Sequence, residues 1–210
     1  MSTLIYTQKH RFFDDLVTLL TSLASFATQM DIYKHGHCEG LNLNRSMAIG
    51  GCTIPTDLIF WPHKVMPTLA SKNWPTQLEL TEAPLCSGMP KSISFELSSN
   101  EIKDVTALAT QGSFIRYYET MISQVEKAFG SDRKNWPPIW NFGRVVRNAF
   151  AHGGKITFEN PLAANVSWKN ITYSPSDNGR QIMYKDIAYV EVVYLMDEMD
   201  AVLPSPVTLI

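Results

Sequence analysis

Arg144, Arg147, Asn148 and His152 fall within nine consecutive residues, and they are the side-chain types that a phosphodiester requires. Arginine presents a planar fork of donors to phosphate oxygens, and histidine can carry a proton near neutral pH. Metal-independent cleavage of RNA needs three groups: a base for the ribose 2′-hydroxyl, a cation against the charge that builds on phosphorus, and an acid for the leaving oxygen. Arg147 and His152 can fill two of these roles. No carboxylate lies between Pro138 and His152 to neutralise them.

The element that must position them is readable. Pro137-Pro138 suits the first turn of a helix, where a missing N–H costs nothing, and Gly153-Gly154 suits its end. The spacing therefore predicts a helix of about four turns from Pro138 to His152. At roughly 100° per residue, with Arg144 at zero, Asn148 falls near 40°, Asn141 near 60°, His152 near 80° and Arg147 near −60°. Ile139, Phe142, Val145, Val146, Ala149 and Phe150 occupy the rest of the wheel. One face is committed to a core, and the other is left for polar work.

Arg147-Asn148-Ala149-Phe150-Ala151-His152 is similar to the Arg-x4-His signature of the HEPN superfamily, often written Arg-Asn-x-x-x-His. Some members carry a tyrosine soon after the histidine; here Gly153, Gly154 and Lys155 follow. The resemblance implies a helical bundle in which the motif closes a helix and two protomers face each other across their motifs. It also implies a metal-independent endoribonuclease of a toxin–antitoxin or antiphage-defence kind, or else a non-catalytic module for dimerisation or RNA binding. In the catalytic version His152 is the general base or acid, Arg147 the phosphate-binding cation and Asn148 the orienting group. Arg144, Asn141 and Lys155 would then line the path of the RNA substrate. A homodimer, an RNA and an antitoxin or regulatory protein are the partners implied.

Composition agrees with a compact chain of ordinary kind. At 210 residues, 45% of them hydrophobic, it can bury a core as a single domain. Three cysteines, Cys38, Cys52 and Cys86, point to reduced thiols and a cytoplasmic location. A net charge of −2 argues against indiscriminate coating of nucleic acid, which depends on neutralising many phosphates. Charge is nevertheless unevenly spread, at +4 between Ser131 and Ile156 and −5 between Asp186 and Asp200. Leu16 to Met30 carries no charge but is too short and too interrupted by polar residues to be a membrane span.

Periodic apolar residues predict helices over Thr7–Tyr33, Glu101–Phe129 and Asp186–Leu203, with Ser98 and Glu101 as a capping box and Gly112 as a place where the second can break. Between the first two lies a Pro-rich stretch, read as an irregular insertion at residues 36–97 that contains a short strand near Asp57–Trp61. Lys155–Phe158, Asn165–Trp168 and Gln181–Tyr184 read as short strands, with Asn178-Gly179 as a hairpin turn between the last two. The fold expected is mainly α, with a small antiparallel β element.

Several bland readings stand beside these. Arg147 can pair with the acidic final helix, and His152 can cap the carbonyls of its own helix. Trp61, Trp74, Trp136 and Trp140 can stack on bases or fill the core. His35, His37, Cys38 and Cys52 are of zinc-binding type but lack paired spacing, so neither a metal nor a cofactor is expected.

Overall fold

The structure, a computed structural model, describes residues 1–35, 46–84 and 100–204. His37, Cys38, Cys86 and Ser98 lie outside those residues. Along the chain come β1 (Thr3–Thr7), α1 (Phe13–His35), β2 (Met47–Ile49), β3 (Thr56–Phe60), α2 (Met66–Ala70) and β4 (Gln77–Pro84). They are followed by α3 (Asn100–Phe129), α4 (Pro138–Ala151), β5 (Val166–Trp168), β6 (Ile171–Tyr173) and α5 (Tyr189–Ala201).

The mainly helical bundle expected from the sequence is not what forms. β1, β4, β3 and β2 make a four-stranded sheet in that order, every neighbouring pair antiparallel, so the architecture is α+β. Its sheet comes from the N-terminal residues, which periodicity left unassigned, and from the Pro-rich stretch, where the strand expected near Asp57–Trp61 forms as β3 and is joined by β2 and β4. Thr3-Leu4-Ile5-Tyr6-Thr7 alternates in burial along β1 and is rich in the β-branched and aromatic residues that suit a pleated surface. It pairs with β4 from Thr3↔Thr81 to Thr7↔Gln77. The second source is the Pro-rich stretch, whose prolines punctuate regular elements instead of excluding them. Pro55 and Pro75 stand just ahead of β3 and β4, Pro84 ends β4, Pro62 opens a 3-10 turn and Pro67 lies in the first turn of α2. Each position is one where a missing N–H does no harm. Leu58, Phe60, Leu78 and Leu80 from these strands are at most 1% exposed.

A single apolar core joins sheet and helices. Tyr6, Leu58, Phe60 and Leu80 belong to the same cluster as Phe12, Leu16, Phe114, Trp140, Phe142, Val192 and Met196. α3 packs on α1 and on α4, while α5 touches α3, α4 and strand β3. Helix α3 runs unbroken through Gly112. α1 begins later than expected, because residues 8–12 form a turn in which the Thr7 and Phe13 amides donate to His10 Nδ1 and its carbonyl, both at 3.0 Å. Of the short strands expected after α4, only the one near Asn165–Trp168 forms. It pairs with β6 through a turn at Lys169, whose φ is +49°. Lys155 and Gln181 meet in a lone bridge, with Asn178 tying the connection back to Phe158 at 2.6 Å and 3.1 Å. Asn178-Gly179 therefore turns the chain toward residues 154–158 and does not join the expected strand pair. Among the described residues no helix is long and apolar enough to cross a membrane.

The final helix is shorter than expected, with Asp186 ahead of it, and the acidic stretch spends most of its charge on partners within the molecule. Asp200 pairs with Arg11 at 2.8 Å, Asp186 with Arg180 at 2.7 Å and Glu198 with Lys169 at 2.7 Å. Glu191 is fully buried. One of its oxygens accepts the consecutive backbone N–H groups of Cys52, Thr53 and Ile54, each at 2.8 Å, and the other accepts that of Ala188 at 2.9 Å.

Candidate functional site

Helix α4 carries the site, and its local sequence explains its two ends. Pro138 opens the helix after an extended Pro137, in keeping with the N1 preference for proline. At the other end His152 is the C-cap, with its N–H on the carbonyls of Ala149 at 3.0 Å and Asn148 at 3.2 Å. Gly153 follows in the left-handed region with φ +67°, and the Gly154 N–H reaches back to the Ala149 carbonyl at 2.8 Å. This is the six-to-one closure of a Schellman motif, which glycine at that point makes easy. Phe142, Val145, Val146, Ala149 and Phe150 are buried while Asn141, Arg144, Arg147 and Asn148 are half-buried, as the wheel predicts, but Trp140, which the wheel puts between Arg144 and Arg147, is buried too and Ile139 is only half-buried.

The four half-buried groups differ in what holds them. Arg147 forms an ion pair with Glu119 of α3 and donates from Nη1 to the Asn148 side-chain oxygen at 3.1 Å, while its Nε is buried with no partner. Its carboxylate comes from α3, not from the acidic final helix. Asn141 donates to the carbonyls of Arg133 at 2.9 Å and Trp136 at 3.4 Å, fixing the 3-10 turn at Arg133–Asn135. Arg144 forms no hydrogen bond or ion pair among the described residues, and its Nε is also buried without a partner. Burial, then repulsion from Arg133, holds the Arg144 guanidinium below the ordinary arginine range, with Glu159 acting the other way.

From α3, Tyr118 packs against Trp140 with ring centres 5.5 Å apart. Its hydroxyl is buried and unpartnered. Burial pushes the phenol up to about 12, and the cations Arg144, Arg133 and Arg147 act against that rise. At neutral pH it is therefore a proton donor without an acceptor. Its neighbour Tyr117 has gone to the core, with its hydroxyl on the Met196 carbonyl at 3.4 Å.

His152 and Lys155 stand apart from this cluster. Both are exposed, and neither side chain forms a hydrogen bond or ion pair among the described residues. The imidazole of His152 is open to a ligand on the solvent side of the helix end. Lys155 follows Gly154 with its backbone bridged to Gln181.

Glu119 and Arg133 are not legible from α4, because only the packing of α3 and the turn at 133–135 brings them there, whereas Tyr118 comes from the helix ahead of the motif, within its reach by sequence. The one available signal was the Tyr117-Tyr118 pair in the helix preceding the motif. Of the tryptophans, Trp136 and Trp140 are buried and donate to the carbonyls of Gly130 at 2.8 Å and Met199 at 3.1 Å, which leaves neither free to stack on a base. Trp74 is 43% exposed and donates to Asp14 at 2.7 Å. Among the described residues no group of three or more His, Cys, Asp or Glu could hold a metal ion. Cys52 is no ready nucleophile, since partial desolvation, Glu191 and Asp186 push its thiol up to about 11. Comparison with models of protein families, with curated proteins and with solved structures finds no match.

Proposed function

We propose that this protein is a metal-independent endoribonuclease whose centre is Arg147, Asn148 and His152, in keeping with the HEPN-like motif. The reading rests on the motif and the helix end that presents it, not on the overall fold. The observation that carries it is an exposed, unengaged His152 closing a helix whose half-buried polar face holds two arginines and no carboxylate of its own. In the proposed reaction His152 takes the 2′-hydroxyl proton, the freed oxygen attacks phosphorus and the bond to the 5′-oxygen breaks. A cyclic 2′,3′-phosphate and a protonated 5′-hydroxyl result. Arg147 opposes the charge on phosphorus, Asn148 orients it, and Arg144, Asn141 and Lys155 line the approach. A second copy facing the first, as the resemblance implies, would supply the acid for the leaving oxygen.

The test is cleavage of structured and unstructured RNAs in EDTA by the purified protein and by His152→Ala. Cleavage by the parent, reduced at least about a hundredfold in the variant, is expected. Intact RNA throughout, or an unaffected variant, sinks the reading.

A second reading has its own support. Glu119 already engages Arg147, which suits a non-catalytic module in which the motif arginine ties α4 to α3. In that case Arg147→Ala alters assembly or RNA affinity while no cleavage is seen with either protein.

A further inference from the structure

Five buried side-chain nitrogen or oxygen atoms of the described residues lack a hydrogen-bond partner, and three of them, the Tyr118 hydroxyl, Arg144 Nε and Arg147 Nε, belong to the packed pair α3 and α4, which touch through Tyr118 on Trp140 and Glu119 on Arg147. A buried donor left unmade is costly, so three in one place call for a physical reason. The geometry converges there. Tyr118 of α3 is only 4% exposed and is clamped against Trp140, Arg144 follows Trp140 by one helical turn, and Arg147 follows Arg144 by three residues, so Trp140 and the two arginines share the face of α4 that Tyr118 packs on. Of the charged side chains acting on the Tyr118 hydroxyl, Arg144 is the strongest and Arg133 the next. Arg133 and Arg144 also repel each other. Arg147 is answered by Glu119, but a protein gains nothing for its own stability by setting Arg144 and Arg133, which have no such partner among the described residues, to act on an idle hydroxyl. A tetrahedral oxyanion would satisfy all of them, taking the Tyr118 O–H on one oxygen and guanidinium N–H groups on others.

We infer that Tyr118, Arg144 and Arg133 form a pocket for one phosphate group, with Arg147 at its edge and the turn held by Asn141 keeping Arg133 in place. It deepens the ribonuclease reading by naming where a phosphate next to the scissile one is held. It also stands apart from it, because it requires binding and not His152. The phosphate can belong to an RNA backbone or be free, and the experiment separates the two.

The experiment titrates inorganic phosphate against chloride at constant ionic strength, following the arginine Nε–H resonances by NMR. A 2′-O-methyl RNA oligonucleotide, which cannot be cleaved through its 2′-oxygen, is then added. In the parent protein the Arg144 Nε–H resonance should move and saturate. Tyr118→Phe, which keeps the ring on Trp140, should weaken phosphate about tenfold, the effect expected for one hydrogen bond to a charged ligand. Arg144→Gln should weaken it at least about a hundredfold. Each variant's melting curve in chloride confirms that it is folded. Should Tyr118→Phe unfold, Arg133→Gln at an exposed position replaces it, with the same tenfold loss expected.

Displacement of phosphate by the oligonucleotide supports a backbone phosphate. Saturable phosphate binding that the oligonucleotide leaves untouched overturns the assignment to RNA while supporting a free-anion pocket. A stationary Arg144 resonance with both ligands, or variants that bind as the parent does, overturns the pocket. Loss of RNA cleavage in His152→Ala with phosphate binding intact supports both conclusions, and phosphate binding without cleavage by the parent overturns the ribonuclease reading while supporting the pocket.

Discussion

Glu119 controls how available Arg147 is to any ligand. The pair is half-exposed, with side-chain exposures of 32% for Arg147 and 46% for Glu119. Such pairs contribute at most about 1 kcal/mol, less than a phosphate can offer to a guanidinium. Glu119→Gln should therefore leave the melting temperature within about 4 °C and raise affinity for 2′-O-methyl RNA several-fold, as read by fluorescence anisotropy. An unchanged affinity would show that Glu119 does not compete with the phosphate. The site residues on α4 were legible in the sequence because a helix wheel assigns faces from spacing alone, and residues 138–152 are bounded by proline and glycine. Their charged partners were not, since Glu119 and Arg133 come close only through packing between elements, and nothing in the spacing of one helix states which charges its neighbour presents.

Two glycines mark opposite situations at the scale of the element. Gly112 lies in the interior of α3, and a methyl group built on it would meet nothing within 4 Å. The sequence suggested a break there; the structure keeps the helix whole because Phe114, Tyr117, Tyr118 and Met121 anchor it to the core just beyond. Gly112→Ala should then stabilise the protein by about 0.5–1 kcal/mol in urea unfolding, and a loss instead would mean that the helix does open at that point. Gly154 is the reverse. Its φ is +81°, and an added methyl group would run into the side chains of Gln181, Met183 and Gln111. Gly154→Ala should cost at least about 1–2 kcal/mol and loosen the helix end that presents His152. A variant as stable as the parent would show that the turn has another conformation to adopt.

The whole molecule is where the sequence was least informative. Helices announce themselves by period, but a sheet is assembled from distant pieces. β1 and β4 are separated by about seventy residues, and the prolines that seemed to leave only loops and a short strand stand at its joints. The sum of acidic charge near the C-terminus was likewise correct as arithmetic and misleading as a surface, because Asp186, Glu191, Glu198 and Asp200 are all engaged within the fold.

Asp197 is a different case. Burial above all, with help from Asp200 and Glu198 and against His10, raises its carboxyl above the ordinary range. A carboxyl with a higher folded than unfolded pKa binds its proton more tightly when folded. It subtracts stability where it is ionised and stops doing so as pH falls through the folded value. Asp197→Asn should thus raise the melting temperature at pH 7, with the gain fading toward acid. A constant gain across pH would rule out this origin.

Glu191 joins the two halves. Replacing it by alanine strands three consecutive amides and the Ala188 N–H, and should cost roughly 3 kcal/mol or more by urea unfolding. A loss below about 1 kcal/mol would show that water replaces the carboxylate at little expense. That contact also ties the loop ahead of β3 to the start of α5, so the amides of Cys52, Thr53 and Ile54 cannot be released by local fraying of the loop alone. Their hydrogens should exchange for deuterium on the slow clock of the interior and not at the pace of an exposed connection. Three amides on the surface would then report how often the helices and the sheet part company.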